Sequence, residues 1–297
     1  MPIKAFLTLF AALLAAVTWA YGSTLARAAD RWSGDPQYSH GYLVPVFALY
    51  LLYRRRAILS QGVLAPSWLA VFPLALGVGL RFVETYYYYN GLDQLSVVPM
   101  ALGAAFATGG KTAARWAWPA ALFLVFMVPL PFRLQTAMSG QLQTVATQMS
   151  SYVLVTAGLP AVTEGNVIVV QDIRIGVVEA CSGLGMGVTF LALAAAFALV
   201  TKSALTVRFV LLLSALPIAV LANVARITVT AVLFYWDQSD AARAVYHDLA
   251  GWLMIPLGCA MILFENWFLE RVLVRDDPAP DRPRIMRPTI IPPSRPA

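Results

Sequence analysis

Charge is what this sequence has least of. Only 12% of its 297 residues are Asp, Glu, Lys or Arg, about half the share of an ordinary soluble domain, which excludes a cytosolic enzyme. Cysteine is scarcer still. Cys181 and Cys259 are the two in the chain, too few for a disulfide framework, and both lie in or beside apolar runs. Histidine also occurs twice, as His40 and His247. With few clustered carboxylates, two His and one surface Cys make a poor metal shell, so neither a metal nor a cofactor is expected. The glycines at 183, 185 and 187 are followed by no P-loop lysine, which leaves close helix approach as their use rather than phosphate binding.

Apolar length is what the chain has instead. Hydrophobic residues make up 60%, and 8 Trp, 12 Tyr and 15 Phe rule out a disordered chain. Apolar runs of helix length occur at about 3 to 21, 41 to 53, 67 to 83, 95 to 110, 116 to 131, 182 to 200, 204 to 222 and 249 to 268. They predict an all-α polytopic membrane protein with about eight transmembrane helices. The run at 41 to 53 is short for a bilayer that asks for ~20 residues, and must borrow from its flanks. It ends in Arg54-Arg55-Arg56, a strong cytoplasmic stop. The net charge of +6 therefore answers to the positive-inside rule, and no nucleic-acid partner is expected. With the arginine triplet fixed inside and the spans alternating, Arg27, Arg31, Arg81, Arg133, Arg174, Arg226 and Arg243 fall outside. The rest of the 21 Lys and Arg fall inside, a ratio of two to one that places both termini in the cytoplasm. The first run lacks a small-residue cleavage site after a short apolar core, and Lys4 anchors it as an uncleaved span.

Two regions are too polar or too long to be plain connectors or spans. In the external insert at about 132 to 180, Leu134, Met138, Leu142, Val145, Met149 and Val153 recur at steps of three and four, as in a helix lying along the membrane surface. Val167 to Val178, turning at Gln171-Asp172, reads as a small β-hairpin, held outside lipid because open sheet edges are not tolerated there. The second region, Ala204 to Trp236, is about 50 Å of helix against a ~30 Å core. A bend or break is expected at Pro217 and Asn223-Val224-Ala225-Arg226, with Ile227 to Trp236 folding back or lying in the interface. Residues 1–275 read as one transmembrane domain and 276–297 as a disordered Pro/Arg-rich cytoplasmic tail.

Cys181 stands where the insert meets the N-terminus of the sixth span. First-turn N–H groups and the helix dipole favour a thiolate and an oxyanion there; the alternative is a buried cysteine packing as a small hydrophobe. Arg226 is an ionisable residue in an apolar stretch, a functional candidate by its insertion cost or an interfacial anchor. Asn223 either orients it or caps a resumed helix. His40 and His247 open the second and last spans at the same external face, and either could serve as base for the thiol. Four distant helix ends thus bring Cys, Arg, His and His to one depth on one side. Cys259, ~15 Å into the last helix, is too deep to pair with Cys181 and is read as packing.

The segments Glu179-Ala180-Cys181-Ser182-Gly183, Asn223-Val224-Ala225-Arg226-Ile227 and His247 with Gly251-Trp252, together with Tyr38-Ser39-His40-Gly41-Tyr42-Leu43-Val44-Pro45, resemble the exosortase/archaeosortase family of integral membrane transpeptidases over roughly residues 30 to 270. The resemblance implies a Cys181, Arg226 and His247 catalytic set facing the periplasm. His40, Glu179, Ser182, Gly183 and Asn223 would be supporting or substrate-binding residues. It further implies a cysteine protease or transpeptidase in the bacterial inner membrane. Its partners would be membrane-anchored proteins with a C-terminal sorting tail, made of a Pro-Glu-Pro-type motif, a transmembrane helix and a basic end. The broken helix and Arg226 also suit a transporter or polysaccharide-export component, although no internal repeat or mid-span acid accompanies them. A non-catalytic scaffold is the third alternative; it gives no reason for Cys181, Arg226 and His247 to share a face.

Overall fold

The computed structural model describes residues 1–87, 91–130, 132–171, 173–177, 184–236 and 249–273. In chain order its helices are α1 (Ile3–Ala20), α2 (Gly22–Gly34), α3 (Leu43–Arg54), α4 (Val71–Tyr87), α5 (Leu92–Phe123), α6 (Phe132–Thr156), α7 (Leu184–Val200), α8 (Leu205–Tyr235) and α9 (Leu249–Leu273). Helix forms in each of the eight apolar runs. Three helical segments, Ile3–Ala20, Trp68–Tyr87 and Leu205–Tyr235, are by themselves long and apolar enough to cross a bilayer. Helix α3 has 12 residues, about 18 Å, and is preceded by the 3-10 stretch Pro36–Tyr42. The tail at 276–297 lies outside the described residues.

The runs expected at 95 to 110 and 116 to 131 are two arms of one hairpin, joined by a single residue rather than by a 111 to 115 connector. Gly110 adopts φ 62°, ψ −147°, a conformation closed to side chains bearing a Cβ. Val97 and Ala101 of the first arm and Ala117, Ala120 and Ala121 of the second line the same apolar cavity of about 490 Å³. The buried face of both arms is largely Ala and Gly, among them Ala104, Ala105, Ala113 and Ala117. Small residues let helices approach closely where lipid supplies no hydrophobic drive of its own. Gly110→Ala is expected to cost upwards of about 1–3 kcal/mol from backbone strain alone, since the new Cβ also meets the Ala65 carbonyl. A lowered melting temperature in detergent is the readout; an unchanged one would show that the turn can be made another way.

Two expectations for the external region need correction. The hairpin is a three-stranded antiparallel meander of β1 (Ala161–Glu164), β2 (Val167–Val170) and β3 (Ile173–Gly176). Strand β1 went unforeseen because only Val162 and Thr163 in it carry a β-type signal. Helix α8 does not break. It runs from Leu205 to Tyr235 through Pro217 and Asn223–Arg226, and its surplus length does not fold back. Ile227 and Ala231 instead pack in one buried cluster with Ala146 and Leu154 of α6 and Ala161, Ile168, Val170 and Ile175 of the sheet. Burial against α6 and the small sheet stabilises the last two turns.

Helix α6 covers the stretch expected to be helical, with its faces set largely by small residues. Ser139, Ala146, Thr147, Ser150 and Leu154 are buried, whereas Val145, Met149 and Val153 of the apolar stripe are exposed. The stripe is thus turned away from the protein, the side on which lipid would meet it.

Helix α2 went unforeseen because its buried positions, Thr24, Ala28 and Trp32, are mixed in polarity. It carries part of a polar knot with Asp93 at the start of α5. The Asp93 carboxylate accepts from the Thr24 hydroxyl and from Arg27 at 3.2 Å, and Arg81 lies 3.5 Å away. A 6% exposed carboxylate is held by two guanidinium groups, as a buried charge requires.

Candidate active site

Three helices frame the site. Phe190 of α7 shares a buried cluster with Ala219 and Ala222 of α8, and Ala194 shares another with Val207, Leu211 and Ala215. Numbers rise on one helix as they fall on the other, so α7 and α8 are antiparallel. A Cβ added to Gly258 of α9 would lie 2.5 Å from the Phe190 ring, and Ile262 packs in the cluster of Ala194. Helix α9 therefore runs parallel to α7, one glycine allowing the close crossing. The N-terminal ends of α7 and α9, at Leu184 and Leu249, consequently stand at the same end of this trio as Asn223 and Arg226 of α8.

Arg226 is 7% exposed and Asn223 1% exposed. The guanidinium Nη2 donates to Asn223 Oδ1 at 2.9 Å, so the amide one turn earlier orients the arginine instead of capping a resumed helix. Among the described residues no carboxylate pairs with Arg226; the ion pairs there are Arg27–Asp93, Arg81–Asp93 and Arg174–Glu164. Twenty-one residues separate Leu205 from Arg226, about 32 Å along a helix, which is the thickness of a hydrocarbon core. A guanidinium taken largely out of water without an anionic partner is a site for one. One turn further on, Thr230 Oγ1, and across the interface Ser150 Oγ of α6, are buried hydroxyls without a hydrogen-bond partner.

His40 meets the neighbouring helix α7. It is 5% exposed. Its Nε2 lies 3.2 Å from the Phe126 carbonyl, which can only accept, so Nε2 carries a proton. Its Nδ1 lies 3.0 Å from the Thr189 hydroxyl of α7, itself 2.9 Å from the Gly185 carbonyl. His40 thus ties the end of the α5 hairpin to the first turns of α7. Beneath it an apolar groove of about 340 Å³ opens between α3 and α7, lined by Leu43, Val44, Phe47, Tyr50, Ala192 and Ala196 among others. Sequence reasoning missed Thr189 and Phe126 because a lone threonine in an apolar helix and a main-chain carbonyl carry no motif.

The structure brings Asn223 and Arg226 together and sets His40 against α7. Glu179, Cys181, Ser182, Gly183 and His247 lie outside the described residues. Cys259 is in α9, half-buried, with a free thiol, ten residues past Leu249 as expected of a packing cysteine.

The chain matches the family model of the transmembrane exosortases over residues 32–264. The chain belongs to the transmembrane exosortases. The match takes in His40, Cys181, Arg226 and His247 together, and ends before the last turns of α9. No curated protein and no solved structure matches the chain. Family membership and the apolar helices make it a membrane protein, and the family's activity is of the membrane transpeptidase type.

Proposed function

We propose that this exosortase is a cysteine transpeptidase that cleaves the C-terminal sorting tail of exported, membrane-anchored proteins through an acyl-enzyme on Cys181. It resides in the bacterial inner membrane with eight crossings, both termini cytoplasmic and the site facing the periplasm. The observation that carries the reading is Arg226, a buried guanidinium with an oriented partner and no carboxylate paired with it among the described residues, at the end of the bundle where α7 and α9 begin. Cys181 and His247 precede those helix starts by three and two residues in the chain. The Cys181 thiolate attacks the scissile carbonyl. His247 takes the thiol proton and returns it to the leaving amine. Arg226 and first-turn N–H groups near Ser182 and Gly183 stabilise the tetrahedral oxyanion. Both ring nitrogens of His40 have structural partners, which suits a supporting role and leaves proton transfer to His247.

The substrate's transmembrane helix docks laterally, so depth selects the bond and the search is two-dimensional. The lipid-facing groove between α3 and α7, with His40 at its outer end, supports such an approach. The acyl group then passes to a surface nucleophile. A membrane-impermeant maleimide tests the site: it is expected to label Cys181 from outside while Cys259 stays silent. The labelling rate should rise through a pKa below the ordinary ~8.5 of a thiol. No external labelling, or labelling with the pH profile of a free thiol, overturns the assignment.

A further inference from the structure

At the opposite end of the bundle the arginine triplet does more than stop α3. Arg54 Nη2 donates to the Val200 carbonyl at the end of α7, Arg56 folds over the Tyr53 ring at 4.2 Å, and Arg55 Nη2 donates to the Arg115 carbonyl of α5 at 3.0 Å. That last bond seats Arg55 beside Arg115. Its pKa is lowered by burial and by the Arg115 charge, and its Nε is buried with no acceptor. Among the described residues no carboxylate forms an ion pair with either arginine. A guanidinium with a buried, unanswered Nε donor, within the field of a second arginine, is a place for an oxyanion.

The helix that carries Arg115 indicates which oxyanion. Along the second arm of α5 and the 3-10 turn Leu124–Met127 that continues it, the exposed positions are Lys111, Arg115, Trp118, Leu122 and Val125, one stripe at helical spacing. It is cationic at the Arg55 end. Beyond Arg115 it is apolar, with Trp118 46%, Leu122 56% and Val125 36% exposed, and extends about 15 Å into the depth of the bundle. A soluble phosphate would use the first part only; a phospholipid uses both. The positive-inside rule accounts for cations at this end, but not for an Arg55 guanidinium held by the Arg115 main-chain carbonyl, with its Nε buried and unanswered, above a continuous apolar track. We propose that Arg55, Arg115 and Lys111 bind the phosphate of an anionic phospholipid whose acyl chain lies along Trp118, Leu122 and Val125.

The test uses the full chain purified in phosphatidylcholine nanodiscs containing a small share of phosphatidylglycerol. Lipid retained with the protein is read by native mass spectrometry. Wild type is expected to retain phosphatidylglycerol over phosphatidylcholine, and Arg55→Gln/Arg115→Gln to lose roughly tenfold or more of that preference. Lys111→Gln, an exposed change that leaves the packing alone, is expected to lose part of it and keeps the test open should the double variant not fold. Arg271→Gln, an equal loss of charge on α9, is expected to change nothing. Glycerol phosphate in solution is expected not to compete. Equal retention of both lipids, equal loss in Arg271→Gln, or displacement by glycerol phosphate each overturns the proposal: the first denies a site, the second reduces it to diffuse charge, and the third removes the chain from it.

Discussion

Cells carrying the Cys181→Ala variant are expected to leave a co-expressed tail-bearing substrate at full length, while wild-type cells trim it. The loss should be complete at the sensitivity of an immunoblot, because the remaining groups have no way to form the acyl-enzyme; with the nucleophile gone, oxyanion donors alone leave a small residue of catalysis over water. Cys181→Ser sharpens the result. A serine fills nearly the same volume, so a cysteine that merely packs would tolerate it. A hydroxyl stays protonated where a thiol at a helix start does not, so a nucleophilic cysteine would not. Both variants should therefore accumulate uncut substrate at normal enzyme levels, and Cys259→Ala, in the body of α9, should process normally. Trimming by Cys181→Ala would sink the enzyme reading outright; trimming by Cys181→Ser alone would move the site's chemistry away from a thiolate.

What the sequence discloses here is set by which signals are local. Helical runs are legible because lipid imposes length and apolarity on each segment separately, and the two arms of α5 read as two runs for that reason. The turn between them did not, since a one-residue reversal at Gly110 depends on how closely Ala65 and the neighbouring helices approach, and nothing local encodes that. The length of α8 was legible and its fate was not. Counting residues correctly finds more helix than a membrane needs, but the sheet and α6, packing on Ile227 and Ala231, explain why the excess stays helical. Strand β1 and helix α2 failed for a related cause: each is specified by what covers it. At the site, Asn223 and Arg226 were legible as a pair because one helical turn separates them. The bond from His40 to Thr189 joins residues 149 positions apart, a contact no spacing rule reaches.

Arg226→Lys is expected to lower the processing rate by about 10²–10³-fold, close to the loss for Arg226→Gln, even though it keeps the charge. A guanidinium anchored by Asn223 Oδ1 through Nη2 presents its other N–H groups in a fixed plane. An ammonium on a flexible stem can keep the amide bond or reach the oxyanion, but is not preorganised to do both. The size of the effect is that of removing one oxyanion donor, 10²–10³ in rate, and it should appear in kcat more than in KM, because the contact strengthens only as the carbonyl oxygen becomes negative. The neighbour supplies a control. Asn223→Asp keeps the shape and sets a carboxylate where the amide now holds Arg226. The resulting buried pair compensates the guanidinium internally and competes with the oxyanion for it. The variant should therefore fold at least as well as wild type and process substrate more slowly. Arg226→Lys at full rate would restrict the arginine to an anchoring role. Asn223→Asp at full rate would show that the free positive charge on Arg226 is not what the reaction uses.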